Sequence, residues 1–182
     1  DAVLAAAQVV VALQSIVSRN VDPMRQAVIS VTMIEGGTAF NIMPGSVRLV
    51  GTARSLDEDV RDLVEAKIAS VAESIATAFG AKASVTYSRG YPVTINAARQ
   101  SELAADVART VSGVERVDGN IDATMGGEDF AYMLQAKPGA YILLGNGPTS
   151  ELHSDTYDFN DAIIPAGVSY WARLVETALP AT

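Results

Sequence analysis

Val47-Arg48-Leu49-Val50-Gly51-Thr52-Ala53-Arg54-Ser55-Leu56-Asp57-Glu58-Asp59-Val60 changes period partway along, from a repeat of two residues to a helical one. In Ser46–Arg54, Val47 and Leu49 lie opposite Arg48 and Thr52, the alternation of a half-buried strand. Ser55 then offers an N-cap, and Glu58 completes a capping box. Val60, Leu63, Val64, Ile68, Val71, Ile75 and Phe79 keep helical spacing as far as Gly80, a natural C′ residue.

Upstream, residues 2–19 read as a helix. Val3, Ala7, Val10, Gln14 and Val17 form its apolar stripe, with Leu4, Val11 and Ser15 beside it, and Asp22-Pro23 stops it. Ala27–Ile34 alternates as a strand, with Ile29, Val31 and Met33 on one face, before a Gly36-Gly37 turn. Lys82–Ser88 reads as a third strand. The order helix, strand, strand, helix, strand is a βαββαβ ferredoxin-like unit without its first strand. That strand belongs in the sheet interior, so the sheet either closes up or takes a strand from another chain.

Arg89-Gly90-Tyr91-Pro92 breaks the pattern, and the domain boundary is expected there, giving domains 1–90 and 91–182. Beyond it, Ser101–Val111 and the shorter Glu128–Gln135 read as helices, and Ala140–Gly145 as a buried strand. Gly145-Asn146-Gly147-Pro148 is a loop. Residues 161–179 form a last helix, with Pro165 in its first turn and Ile164, Val168, Trp171, Leu174, Val175 and Ala178 facing inward.

Apolar residues make up 49% of the chain and charged ones 19%, enough for a buried core. A net charge of −8 with no Lys/Arg cluster argues against nucleic acid as a partner. The absence of Cys removes disulfide and thiolate chemistry. No basic n-region precedes an apolar run, and Ala2–Leu13 is too short to span a bilayer, so no membrane partner is expected and the cytoplasm is the default compartment. The chain opens at Asp1 directly into a helical pattern, which gives the expectation of a segment cut from a longer polypeptide.

His153 is the single histidine, in Leu152-His153-Ser154-Asp155-Thr156-Tyr157-Asp158. It follows a strand and a Gly-rich loop, where α/β enzymes place their sites. It reads either as a satisfied surface histidine or as a metal ligand whose ring Asp155 or Asp158 orients. One imidazole without cysteine does not complete a transition-metal site, so further ligands must lie elsewhere. Met125-Gly126-Gly127-Glu128-Asp129 opens a helix: the glycines and free N–H groups suit a carboxylate-bearing ligand, while Glu128 and Asp129 equally satisfy the helix dipole. Asn41, in the long Gly36–Gly45 connection, is either a turn former or a substrate contact. Arg54 is either a solvated strand end or a bidentate carboxylate binder. No phosphate loop and no Gly-x-Ser-x-Gly elbow is present.

Met125 to Tyr132, Pro138-Gly139-Ala140-Tyr141, Leu144-Gly145-Asn146-Gly147, and Leu152-His153-Ser154 through Asp161 resemble the C-terminal part of aminoacylase/carboxypeptidase-type metal amidohydrolases. That group includes hippurate hydrolase, N-acyl-amino-acid amidohydrolases and indoleacetyl-amino-acid hydrolases. Ala5-Ala6-Ala7-Gln8, Leu13 to Asn20, Gly36 to Pro44, Gly51-Thr52-Ala53-Arg54 and Tyr91 to Asn96 are similar to the group's lid, or dimerisation, domain and to the return from it. The resemblance covers the whole chain. It implies an α/β fold class: a ferredoxin-like lid lacking its first strand, then the C-terminal portion of an α/β metallopeptidase catalytic domain.

It also implies amide hydrolysis of N-acyl or N-aroyl amino acids by a water bridging two divalent metal ions (Zn, Mn or Co), with a Glu as general base. His153 matches the group's C-terminal metal ligand. Asn41 and Arg54 match lid positions that approach substrate, Asn41 across a homodimer. Gly126 and Gly127 match a loop lining the substrate pocket, and Glu128 acquires no role. The general base and the remaining ligands, a His-x-Cys-Gly-His-Asp motif and a Glu-Glu pair, belong to the group's N-terminal half and do not occur in this sequence. No catalytic residue is therefore expected in this chain, which alone should be inactive and hold metal weakly. The alternative is a non-catalytic dimerisation or interaction module.

Overall fold

The computed structural model describes residues 1–180, whose backbone falls into two compact units. The first comprises Asp1–Val93 with Ala123–Gly127; the second comprises Thr94–Asp122 and the chain from Glu128 onward.

The first unit begins with α1 (Ala2–Asn20), whose first turn is capped by the Asp1 carboxylate accepting from Leu4 N–H at 2.9 Å. The buried stripe of α1 is Ala5, Val9, Leu13 and Ile16, not the one expected, and Val3, Leu4 and Val11 are exposed. The helix is apolar on nearly every side, so periodicity does not single out its inward face. By length and composition α1 is also long and apolar enough to cross a membrane, a test that the packed helix of a water-soluble core passes equally. Of its four buried residues, Val9, Leu13 and Ile16 pack into the core with α2.

β1 (Ala27–Glu35) and β2 (Arg48–Ser55) pair antiparallel, from Ala27 opposite Ser55 to Glu35 opposite Arg48. Val31 faces Gly51 while Met33 faces Val50, so Thr32 is an extra residue on β1. The bulge corrects the expected facing of Met33. Ile29 and Val31 point into the core, whereas Met33 is turned to the opposite face and is 46% exposed. Gly51 sits at this bulge because a Cβ there would meet the Ser30 carbonyl oxygen at 2.4 Å.

α2 (Glu58–Ala78) starts later than the Ser55 capping box implied. Its N-cap is Asp57, and Ser55 Oγ donates to the Asp57 carbonyl at 3.1 Å. The Asp57 carboxylate makes no cap because Arg25 Nε takes it at 3.0 Å, while the Arg25 guanidinium also pairs with Asp59. The helix ends as expected. Gly80 at φ +70° donates to the Thr77 carbonyl, and Ala81 to that of Ala76, the paired bonds of a Schellman motif. α1 and α2 together cover one face of the hairpin, with Ile16 and Val64 at the centre.

Lys82–Ser88 keeps the expected alternation, with Ala83 and Val85 half-buried against the core. It is not a strand: among the described residues its backbone has no ladder partner, and the sheet has two strands. In a ferredoxin-like sheet the fourth strand pairs with the first, which these residues do not include. The run therefore makes no backbone hydrogen bond among the described residues.

The second unit contains α3 (Ala98–Ser112), the short α4 (Phe130–Ala136) and α5 (Ile164–Ala178), with Pro165 in the first turn of α5. Its core is small: Ala104 and Val107 of α3 against Tyr170 of α5, flanked by Ala140 and Leu174. Two expectations fail here. Ala140–Gly145 is neither a paired strand nor buried, with Leu143 65% exposed. α5 turns Tyr170 and Leu174 inward, while Ile164, Val168, Trp171 and Val175 face out.

Candidate functional site

Arg54 is the last residue but one of β2, on the face opposite Ala53 and the core. Its guanidinium donates to the Met125 carbonyl at 2.5 Å. Arg54 and the start of the Met125-Gly126-Gly127 loop are thus joined within the first unit, although they lie far apart in sequence. Neither glycine is at positive φ, so backbone conformation does not demand them. A Cβ at Gly126 would meet nothing closer than Thr124 Oγ1 at 3.7 Å, and one at Gly127 would touch the Tyr91 ring at 3.4 Å. Bare, exposed backbone beside a cation is suited to close approach by an anionic group.

Asn41 lies at the exposed crest of the 36–47 connection, which Gly37 turns at φ +79°. Its neighbours Phe40, Ile42 and Met43 are exposed as well, Phe40 completely.

In the second unit Glu128 accepts from Phe130 N–H at 3.2 Å. That bond, together with the Tyr141 hydroxyl, holds its carboxyl below the usual range, and Glu128 in turn raises Tyr141. The first free N–H of α4 is therefore taken by the chain's own carboxylate, which favours the helix-terminus reading of Glu128 over a ligand-binding one. Tyr141 is held from the other side too. The Asn96 amide accepts from its N–H at 2.7 Å and donates to its carbonyl at 2.9 Å. The open hollow lined by Asn96, Leu134 and Pro138 contains none of the candidate residues.

His153 occupies the third position of a turn closed by Ser154 N–H on the Glu151 carbonyl at 3.2 Å. Its φ is +68°, the one non-glycine in the left-handed region among the described residues. A β-carbon there costs conformational energy, and such outliers concentrate at functional positions. The loop that carries it is tied at its neck. Asn146 donates to the Asp158 carbonyl and accepts from Asn160 N–H, both at 2.8 Å, and Thr149 Oγ1 accepts from Asp158 N–H. Higher up, Ser150, Thr156 and Ser154 share hydroxyl bonds. By sequence Asn146 is marked only as a loop residue, and the pair Asn146 and Asn160 on either side of the loop is the signal for this clasp. Neither Asp155 nor Asp158 hydrogen-bonds the His153 ring, contrary to the orienting role considered for them. Among the described residues no three His, Cys, Asp or Glu side chains converge on one point.

The model of peptidase family M20/M25/M40 matches residues 1–177. Hippurate hydrolase of Campylobacter jejuni is 37% identical over 174 residues, covering 96% of this chain and 45% of the relative. N-acetyl-L-cysteine deacetylase of Bacillus subtilis is 34% identical, over 90% of this chain and 39% of the relative. The crystal structure of the Bacillus subtilis YXEP protein, described as a dinuclear metal binding peptidase of the M20 family, superimposes with a TM-score of 0.82 at 26% identity. That match takes in 100% of this chain and 47% of the solved one. The chain thus spans about half the length of the relatives it matches. Its mixed α/β architecture follows M20 peptidase domains over its whole length, and its relatives are hydrolases of amide bonds. The chain belongs to peptidase family M20/M25/M40.

Proposed function

We propose that this chain is the lid and the C-terminal catalytic portion of an amidohydrolase that cleaves the acyl–nitrogen bond of N-acyl or N-aroyl amino acids. Arg54, fixed on the Met125 carbonyl, carries the reading: it offers the substrate carboxylate a cation beside the bare backbone of Gly126 and Gly127. The names of the relatives, a hippurate hydrolase and a deacetylase, support the same substrate class. Asn41 meets the substrate bound to a second copy, the lid being the dimer contact. The exposed Phe40, Ile42 and Met43 around it supply apolar surface for that contact and equally favour a role as a dimerisation module.

A dinuclear metal centre does not fit the donor set of this chain. His153 is its one imidazole, and no second or third ligand approaches it among the described residues. His153 is proposed as a single ligand to one of two divalent ions (Zn, Mn or Co) whose other ligands lie outside these residues. The chain alone should therefore neither retain stoichiometric metal after dialysis nor cleave N-benzoylglycine. Retention of metal, or measurable turnover, overturns that reading.

The substrate contact has its own test. Titrating N-benzoylglycine into the isotopically labelled chain is expected to shift the amide resonances of Gly126 and Gly127, and Arg54→Ala to abolish the shifts. Shifts that persist in the variant, or that map elsewhere, exclude this carboxylate site.

A further inference from the structure

Asn146-Gly147 is the one Asn-Gly pair in the sequence, and the fold demands each of its two residues. Asn146 donates from Nδ2 to the Asp158 carbonyl and accepts at Oδ1 from Asn160 N–H, both at 2.8 Å. The neck of the His153 loop thus needs a short side chain that does both, which an amide supplies. Gly147 follows at φ +86°, in the left-handed region, where a β-carbon costs conformational energy. Together these needs set a side-chain amide directly before a peptide nitrogen that no side chain shields. Gly147 is exposed and Asn146 half-buried. The other asparagines precede Val21, Ile42, Ala97, Ile121 and Asp161, whose side chains crowd that nitrogen.

We propose that Asn146 is a self-modification site: it loses its amide to attack by the Gly147 nitrogen when the neck opens, and the product keeps the neck from closing again. The Gly147 nitrogen gives up its proton and bonds to Asn146 Cγ. The Cγ–Nδ2 bond breaks, ammonia leaves with that proton, and a cyclic succinimide forms. Water then adds to either ring carbonyl, and opening leaves aspartate or its β-linked isomer at position 146. Nothing but water is consumed. The closed neck resists the first step, because swinging Cγ onto the Gly147 nitrogen strains the bonds to Asp158 and Asn160. The product reverses the balance. A carboxylate oxygen takes the place of the Nδ2 donor and meets the Asp158 carbonyl, acceptor against acceptor. The β-linked isomer also lengthens the backbone. Neither regains the amide, so the frame that holds His153 at φ +68° weakens irreversibly with age. The inference uses the geometry of the neck alone and rests on neither the substrate nor the metal reading.

The first test ages the chain at mildly alkaline pH and maps the change by peptide mass spectrometry. A gain of a single mass unit is expected at Asn146 ahead of every other asparagine, with the β-linked isomer among the products. Thr149→Val removes the acceptor for Asp158 N–H at the neck. It is expected to speed the reaction about fivefold, the effect of one lost hydrogen bond on the opening equilibrium. Modification that appears first at another asparagine overturns the proposal, as does an unchanged rate in the variant.

Two further measurements need no variant to fold. In the unsubstituted chain, urea too dilute to unfold it globally should already raise the rate, since the neck opens locally. A rate that rises only with global unfolding overturns the part given to the neck. Hydrogen exchange at the amides of Asp158 and Asn160, compared between fresh and aged samples, is expected to be faster by about tenfold or more in the modified fraction. Equal exchange means that the neck recloses over the product, and the proposal falls.

Discussion

α2 is apolar on one stripe and α5 on two, and only α2 buries the stripe that its periodicity marks. In α2, Glu58, Asp62, Glu65 and Glu73 define an outer face, and Val60 and Val64 go inward with Leu63, Ile68, Val71 and Ile75 packed around them. In α5 the inward residues are Tyr170 and Leu174, and the larger stripe through Trp171 is left facing solvent. A helix with charges on one side has a single way to pack. A helix apolar on two sides has two, and its neighbours decide between them. The first unit supplies those neighbours as a hairpin and a second helix; the second unit supplies α3 alone among its longer helices.

The contrast can be broken most directly at Ile16, fully buried between the helices of the first unit. Ile16→Ala is expected to cost about 2–5 kcal/mol in urea unfolding, whereas Trp171→Ala should change stability by no more than about 0.5 kcal/mol. Comparable losses at the two positions would erase the difference between the units. Next in size is Gly51→Ala, whose added carbon would collide with the Ser30 carbonyl. A loss of about 1–3 kcal/mol and weakened β1–β2 amide protection should follow. Unchanged protection would show that the bulge yields without strain.

In the second unit, His153→Gly is expected to raise stability by up to about 1 kcal/mol, because glycine accepts the left-handed backbone freely. His153→Ala should give no such gain, and equal behaviour of the two variants would remove the argument from φ. The smallest effect is electrostatic. Arg25 holds the Asp59 carboxyl below its ordinary 3.8, so the pair stabilises the fold fully above that pH and loses its contribution as pH falls through the depressed value. Asp59 is solvent-exposed and Arg25 only half-buried, so solvent screening keeps the effect slight. Asp59→Asn should lower stability slightly near neutrality and flatten the acid limb of the profile, variant and parent converging once pH falls below the depressed value.

Several features were readable from sequence because one local interaction decides them. The Gly80 terminus of α2, the hairpin and the loop positions of His153 and Asn41 are of this kind. Others depend on partners remote in the chain. Asp57 caps α2 without its side chain because Arg25 claims the carboxylate. Met33 reverses its facing because of one unpaired Thr. Lys82–Ser88 alternates like a strand and yet pairs with nothing, since alternation reports which side is buried and not whether a neighbour exists. The contact of Arg54 with the Met125 carbonyl was equally invisible, being made by segments with no shared local pattern.

The hydrogen bonds from Asn146 and Thr149 across to Asp158 and Asn160 fasten the loop at its base and leave its apex to be set independently. The Ser150, Ser154 and Thr156 hydroxyls belong to that frame, which leaves the apex position alone as the exchangeable one. A ring, a carboxylate or an amide can be presented from the same spot without disturbing the helix that follows, so the frame stays constant while the chemistry at the summit changes.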